Sequence, residues 1–227
     1  MIEYIFLIIF FVVVCIEIFA EYKDNKKLEY ATKPLLMPLL ILFYIFGVIE
    51  GASIARVDWL IVVALIGGCA GDIFLMLKDQ EKWFLFGMGA FLINQLFYII
   101  SFFLSIVNYA AFNFWGLFLL GPVILILLFT VPRFIGKTGD MKIPVLVYMG
   151  AILLMHIVAL LRFAEFGLTG LPFIFVYVGS ISFIYSDSMI AVNKWAGEFT
   201  NARLVIMTTY VMAQLFITLG VLFTALI

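Results

Sequence analysis

The chain has 227 residues, of which 67% are hydrophobic and 12% charged, and its formal net charge is −1. Soluble domains carry about 25% charged residues, so this composition excludes a soluble globular protein. A nearly neutral chain without a basic tail also gives no basis for nucleic-acid binding. The composition instead indicates a protein whose solvent is the lipid bilayer.

Eight apolar runs follow one another, each close to the length of about 20 residues that a helix needs to cross the hydrocarbon core. The predicted spans are residues 2–20, 34–50, 59–77, 83–106, 112–131, 143–163, 171–193 and 204–225. The connecting segments are short, and the longest, residues 21–33, is polar and lysine-rich. The sequence therefore predicts an all-α, multi-pass protein of the cell membrane, with residues 1–227 forming a single transmembrane domain.

The orientation follows from the basic residues, which concentrate in cytoplasmic loops. All but two of the 13 Lys and Arg residues fall in the connections after spans one, three, five and seven. They are Lys23, Lys26, Lys27, Lys33, Lys78, Lys82, Arg133, Lys137, Lys142, Lys194 and Arg203. Only Arg56 and Arg162 fall on the other side. Both termini are therefore predicted to face away from the cytoplasm.

Two acidic residues lie inside the predicted spans. Asp72 precedes Lys78 by six residues and Asp187 precedes Lys194 by seven, which places both about 9–10 Å below the cytoplasmic boundary. Tyr148 and Tyr210, together with Glu17, reach a similar depth. Acidic residues inside a membrane usually serve a function, because burying their charge is costly. A shared polar layer from several spans predicts a cavity that opens towards the cytoplasmic leaflet.

Span seven carries one polar face. Ser180, Asp187 and Lys194 are seven residues apart, which puts them on one side of a regular helix. The pattern of acids and of Gln-Leu-Phe at residues 95–97 and 214–216 also suggests a four-plus-four parallel repeat,.

The sequence contains one histidine, His156. One histidine cannot build a His-rich catalytic zinc site, so neither a metal nor another cofactor is predicted. His156 is also expected nearer the far leaflet than Asp187, which argues against a Ser-His-Asp triad. The remaining candidates are two carboxyl groups, which can perform general acid/base catalysis if one is protonated and the other ionised.

Several motifs resemble the family of bacterial YhhN and animal lysoplasmalogenase proteins. The most specific motif is in span seven, and shorter ones occur in spans two, three, four and eight. They comprise Gly179, Phe183, Ser186-Asp187, Ile190-Ala191 and Asn193-Lys194; Lys33-Pro34; Gly71-Asp72; Gly87, Phe91 and Tyr98; and Tyr210 and Gln214. Gln95 stands where a histidine is common in the family.

The resemblance implies a hydrolase that cleaves the vinyl-ether bond of a single-chain lysolipid, with Asp72 and Asp187 as the catalytic residues. The products would be a fatty aldehyde and a glycerophospho-alcohol. An un-ionised carboxylic acid can protonate the vinyl carbon, and a carboxylate can stabilise the resulting cation and activate water, much as paired acids do in glycosidases. The candidate substrate-binding residues are Lys33, Gln95, Tyr98, Ser180, Asn193, Lys194, Tyr210 and Gln214.

The roles of the two aspartates can also be predicted. Lys194 is expected to extend towards Asp187 and to favour its ionised form, while Asp72 lies among Gly, Ala and apolar residues, which favour the protonated form. Asp72 is therefore predicted as the acid and Asp187 as the base. Two alternatives are a proton-coupled transporter or lipid flippase that uses the two aspartates as a relay, and a structural or partner-binding membrane subunit.

Overall fold

The computed structural model describes residues 1–77 and 80–227, and within these ranges the chain is almost entirely helical and contains no strand. The helices are α1 (Ile2–Tyr22), α2 (Lys26–Gly51), α3 (Trp59–Met76), α4 (Gln80–Leu104), α5 (Gly121–Phe134), α6 (Lys142–Leu161), α7 (Phe163–Phe166), α8 (Leu171–Ala191) and α9 (Ala202–Ala225). Eight of them, all except the single turn α7, belong to segments long and apolar enough to cross a membrane. The prediction of an all-α, multi-pass membrane protein with eight spans is confirmed. Lys78, on which the predicted orientation partly rests, lies outside the described residues, and the orientation stays a prediction.

Helix α2 begins at Lys26, earlier than the predicted start at residue 34. The side chain of Asn25 caps it by accepting a hydrogen bond of 3.4 Å from the backbone N–H of Leu28,. Most of the segment 21–33 is therefore helical, and its prediction as a polar loop was wrong. The extension places the charged residues of this segment against the helix bundle instead of leaving them in a loop.

Two prolines lie inside α2. Pro38 has no N–H to bond the carbonyl of Pro34, and the thiol of Cys69 in α3 donates to that carbonyl instead at 3.5 Å,. Lys33 neighbours Pro34, and Asp72 follows Cys69 by three residues. The contact therefore joins the two helices near both of these side chains. The α2–α3 contact thereby sets the position of Lys33 relative to Asp72.

Helices α8 and α9 pack closely along their length, as do α3 and α4. A Cβ atom on Gly179 would lie 2.9 Å from the backbone nitrogen of Ile217, and one on Gly220 would lie 2.8 Å from that of Val176. A Cβ on Gly67 would lie 3.1 Å from the backbone nitrogen of Asn94. Small residues let membrane helices approach this closely. The two tight pairs hold α3 and α8, which carry the aspartates.

Helix α5 is preceded by a 3₁₀ segment, Phe114–Leu120, and packs mainly against α8 and the segment that follows it. It has little direct contact with α4 or α6. Space therefore remains between these helices at the level of Asp187.

Arg162 was predicted on the far side, at the end of the span 143–163, and its side chain is completely buried at the end of α6. Its guanidinium donates to the hydroxyl of Thr224 at 2.7 Å and stacks on Phe166, with 4.7 Å to the ring centroid. It joins the ends of α6, α7 and α9 far from the aspartates and so belongs to the scaffold.

Candidate active site

A partly open apolar cavity lies between α4, α5, α6 and α8, and its empty space of about 680 Å³ includes the opening. Phe91, Ile152, Ile184 and Trp195 are among the residues of its walls. Asp187 also lines the cavity, so a carboxyl group reaches an otherwise apolar surface.

Asp187 is half-buried and lies one turn before the end of α8. The hydroxyl of Tyr148, from α6, donates a hydrogen bond to Asp187 Oδ2. Tyr148 lines the same cavity. Within the described residues Asp187 forms no salt bridge. An acidic group on an apolar surface without a cation beside it is more stable when it is protonated.

Asp72 is buried one turn before the end of α3, and the hydroxyl of Tyr210 from α9 donates to its Oδ2 at 2.8 Å. The amide of Gln214 donates to the Tyr210 oxygen at 3.3 Å and accepts a hydrogen bond of 2.5 Å from Tyr98. All four side chains are nearly or fully buried. These hydrogen bonds form one buried polar chain that links α3, α4 and α9 and ends at Asp72.

The ring of Phe91 lies between the two carboxyl sites. It lines the apolar cavity, and its centroid is 5.7 Å from that of Tyr210 and 6.3 Å from that of Phe183. A Cβ on Gly71, next to Asp72, would lie within 3 Å of this ring. The small residue at position 71 therefore lets the aromatic ring fit between the aspartate of α3 and the cavity.

A second, polar cavity adjoins the apolar one; it is also partly open, and its empty space of about 2010 Å³ includes the opening. Leu75, Phe84 and Ile190 line both. Basic and acidic side chains line the polar cavity. They are Lys26, Lys33, Lys194, Arg203, Glu21, Glu29 and Glu198. The two adjoining cavities thus join a space lined by charged groups to an apolar one.

Most of the acidic and basic groups of the polar cavity are paired with one another. Arg203 forms ion pairs of 2.6 Å with both Glu21 and Glu29, and Lys33 forms pairs of 3.2 Å and 3.8 Å with the same two residues. These contacts hold α1, α2 and α9 together at this end of the bundle. Lys33 also lies close enough to Asp72 for their charges to interact.

Among the described residues no group of three or more His, Cys, Asp or Glu side chains is arranged to hold a metal ion.

The sequence model of one protein family, the YhhN family, matches residues 28–221. The chain belongs to the YhhN family. No curated protein and no solved structure shows a significant match to it. The resemblance seen in the sequence motifs is thereby confirmed at the level of the family.

The predicted site residues of this YhhN-family chain lie in three places: at the apolar cavity, at the polar cavity and in the buried interior. Of the two catalytic candidates, Asp187 lines the apolar cavity, whereas Asp72 is buried and lines neither cavity. The predicted substrate-binding residues that line the polar cavity are Lys33, Asn193 and Lys194. Tyr98, Tyr210 and Gln214 form the buried chain behind Asp72.

Lys194 does not extend towards Asp187. Its ammonium lies over the ring of Phe84, 4.3 Å from the centroid, in the polar cavity. The α8 helix changes to a wider π-helical turn at Val192–Ala196, which rotates Lys194 off the face that carries Asp187,. The expected ion pair, and the acid and base roles based on it, therefore lose their support.

Ser180 lies away from both cavities. It is completely buried, contacts His156 Nδ1 at 2.8 Å and donates to the carbonyl of Tyr177 at 2.7 Å. Seven residues separate it from Asp187, or about 10 Å along the helix, which takes it beyond the level of the aspartate. Its position indicates a packing contact between α6 and α8.

Gln95 is completely buried in α4, and neither atom of its amide has a hydrogen-bond partner among the described residues. Its amide lies beside the hydroxyl of Tyr148, close enough to interact with it but without the geometry of a regular hydrogen bond.

Sequence reasoning did not include Tyr148, Arg203, Glu21 or Glu29 among the site residues. The depth of Tyr148, six residues from Lys142, was the available signal for that residue. The ion pairs of Arg203 join segments more than 170 residues apart, and no local pattern indicates them.

Proposed function

We propose that this protein is a membrane hydrolase that cleaves the vinyl-ether bond of a single-chain lysolipid of the lysoplasmalogen type. The observation that carries the proposal is the position of Asp187 in an apolar cavity that adjoins a polar cavity rich in charged groups. A lysolipid joins a charged head to one apolar chain, and its vinyl ether lies between the two. The family membership of the chain adds support for a membrane hydrolase.

The reaction requires a proton on carbon before water can attack. In R–O–CH=CH–R′ the acid protonates the carbon that bears R′, and the other alkene carbon becomes an oxocarbenium ion, R–O⁺=CH–CH₂–R′. Water adds to that carbon and loses a proton to give a hemiacetal. The hemiacetal then separates into the alcohol R–OH and the aldehyde O=CH–CH₂–R′. General acid–base catalysis of such steps contributes about 10²–10⁴-fold to the rate.

The contacts favour Asp187 as the acid and Asp72 as the ionised partner, the reverse of the roles predicted from the sequence. Asp187 lines the apolar cavity and pairs with no cation among the described residues, so its protonated form is favoured although Tyr148 donates to it,. Burial disfavours a charge on Asp72 as well, but the nearby charge of Lys33 opposes this effect, so Asp72 is the more readily ionised of the two,. A buried carboxylate near the cavity stabilises the positive charge of the oxocarbenium ion.

The polar cavity supplies groups for the head of the lipid. Lys194 lies at the boundary of the two cavities, half-buried, and forms no salt bridge with a described residue. Its ammonium is therefore available for a phosphate oxygen, while the apolar cavity takes the start of the hydrocarbon chain. The substrate would reach this site from the surrounding bilayer of the cell membrane.

The test is the release of fatty aldehyde from a 1-alkenyl lysophospholipid by the purified protein in detergent micelles. The corresponding 1-acyl and 1-alkyl lysolipids serve as controls, because neither contains an enol ether that an acid can protonate on carbon. We expect aldehyde from the alkenyl substrate alone. Uptake of the lipid into protein-containing liposomes without cleavage would replace this proposal with transport through an aspartate relay.

A further inference from the structure

The buried amide of Gln95 marks a second polar position, behind Tyr148, which lines the apolar cavity. The side chain is completely buried, and both its oxygen and its nitrogen lack hydrogen-bond partners within the described residues. Buried polar groups in proteins are nearly always bonded, either to protein groups or to ordered water. An amide with both ends unpaired therefore indicates a small polar ligand at this position.

A comparison with Gln214 shows how unusual this amide is. Gln214 and Gln95 each lie next to a tyrosine whose hydroxyl donates to one of the two aspartates. Both ends of the Gln214 amide are bonded, since it donates to Tyr210 and accepts from Tyr98. Protein groups thus bond both ends of the Gln214 amide, whereas neither end of the Gln95 amide makes a regular hydrogen bond with a described residue.

The groups around Gln95 match the requirements of one water molecule. The Gln95 amide has two N–H donors and an acceptor oxygen, and the oxygen of Tyr148, which donates its own proton to Asp187, still has lone pairs to accept a hydrogen bond,. Buried waters in proteins make about three hydrogen bonds. Tyr148 also lines the cavity, so a water held there would lie at its edge and close to Asp187.

We propose that Gln95 and Tyr148 bind the water molecule that attacks the oxocarbenium ion, an assignment that rests on the proposed function. Asp187 first gives its proton to the vinyl carbon and becomes a carboxylate. The bound water then forms its C–O bond to the oxocarbenium carbon and returns one proton to Asp187, which leaves a neutral hemiacetal. Asp187 thus acts first as acid and then as base, while Asp72 stabilises the cation.

The experiment uses deuterium to separate protonation from water capture. In D₂O the acid delivers deuterium to the vinyl carbon, and a captured intermediate proceeds to aldehyde. An intermediate that is not captured loses a proton from the same carbon and returns to the substrate, which then carries deuterium in its vinyl group. Mass spectrometry of the recovered substrate therefore reports the efficiency of capture.

The variants are Gln95→Leu and Gln95→His, both compared with the full-length wild-type protein. Leucine removes both polar atoms at a similar volume, and folding should survive because an unpaired buried amide is lost. We expect Gln95→Leu to lower aldehyde formation by roughly 10²-fold and to enrich the recovered substrate in vinyl deuterium. Gln95→His, which can donate and accept, should restore most of the aldehyde and remove the enrichment.

Two results would overturn the water site: cleavage by folded Gln95→Leu at the wild-type rate, or lost cleavage without deuterium in the recovered substrate. The second would assign Gln95 to protonation or to packing. Asp187→Asn should show neither aldehyde nor deuterium. Absence of cleavage by the wild-type protein would instead overturn the proposed function itself, and with it this assignment.

Discussion

The hydroxyl of Tyr210 donates a hydrogen bond of 2.8 Å to Asp72, although 138 residues separate the two in sequence. Tyr148 makes the equivalent contact with Asp187. In both cases a neutral phenol is the hydrogen-bond donor to the carboxyl group, and no salt bridge within the described residues involves either aspartate. Acids retained only for assembly would be expected in ion pairs, which hold Glu21 and Glu29 at the end of the bundle.

Replacement of either aspartate by asparagine should abolish most of the activity. Because the acid and the carboxylate act on one intermediate, we expect Asp72→Asn and Asp187→Asn each to lower the rate of aldehyde release by roughly 10²-fold or more. Folding should persist, since an amide carries no charge to bury. Initial rates in micelles, compared with those of the exposed-loop control Asp140→Asn, measure the effect. A wild-type rate in either active-site variant would contradict the two-carboxylate mechanism.

The tyrosines should matter through their hydroxyl groups. Tyr148→Phe and Tyr210→Phe each remove one hydrogen bond to a carboxyl group, which is worth about 1.5–3 kcal/mol when the partner is charged. We expect kcat to fall by about tenfold or more in both.

Tyr177→Phe is the matched control, since this hydroxyl donates to the carbonyl of Leu119 at 2.7 Å and contacts neither aspartate. Its kcat should stay near that of the wild type. Equal losses in all three variants would show that the effect comes from general destabilisation.

The sequence was sufficient to predict the eight spans and the shared depth of the polar residues. Apolar runs of membrane length leave few alternatives, and a helix converts residue number into depth at a constant rise. Tyr148, Asp187, Tyr210 and Asp72 do interact in pairs as this common layer suggested. Depth alone, however, does not determine which groups face one another.

Rotation around the helix axis was harder to predict. The common face of Ser180, Asp187 and Lys194 assumed a regular α-helix, but the π-turn at Val192–Ala196 changes the direction of Lys194. A local change of helical pitch has no clear signal in this sequence. The start of α2 was also predicted wrongly. Ion pairs of Glu29 with Lys26 and Arg203 stabilise this end of the helix, and Arg203 belongs to a helix distant in sequence.

Lys194 should contribute to binding of the head group. We expect Lys194→Met to raise KM about tenfold for an alkenyl substrate with a phosphate head, because a charge-assisted hydrogen bond is lost. KM for an alkenyl glycerol without phosphate should stay unchanged. Lys27→Met is the control, since Lys27 is exposed and does not line the polar cavity. An equal rise in KM for both substrates would assign Lys194 to the structure of the cavity instead.

The contact between α8 and α9 should be sensitive to a single methyl group. In Gly179→Ala the new Cβ would lie 2.9 Å from the backbone nitrogen of Ile217 and 3.0 Å from the backbone oxygen of Ala213, so the helices must separate. Overpacking of this kind costs about 1–3 kcal/mol. Gly150 is the matched control, because a Cβ there meets no atom within 4 Å.

Thermal denaturation in detergent should therefore show a lower Tm for Gly179→Ala and an unchanged or slightly higher Tm for Gly150→Ala. Equal stability of the two variants would contradict the close α8–α9 packing.

The orientation of the bundle can be tested by cysteine labelling in intact cells. Arg203 pairs with Asp24 as well as Glu29, so the α1–α2 and α8–α9 connections lie at the same end. The excess of basic residues predicts that this end faces the cytoplasm. Cysteines at the exposed positions Lys27 and Thr200, in a Cys15→Ala/Cys69→Ala background, should react with a membrane-impermeant maleimide only after the cells are permeabilised. A cysteine at the exposed Val107, in the connection before α5, should react without permeabilisation. Labelling of Lys27→Cys or Thr200→Cys in intact cells would reverse the orientation and place the polar cavity on the outer leaflet.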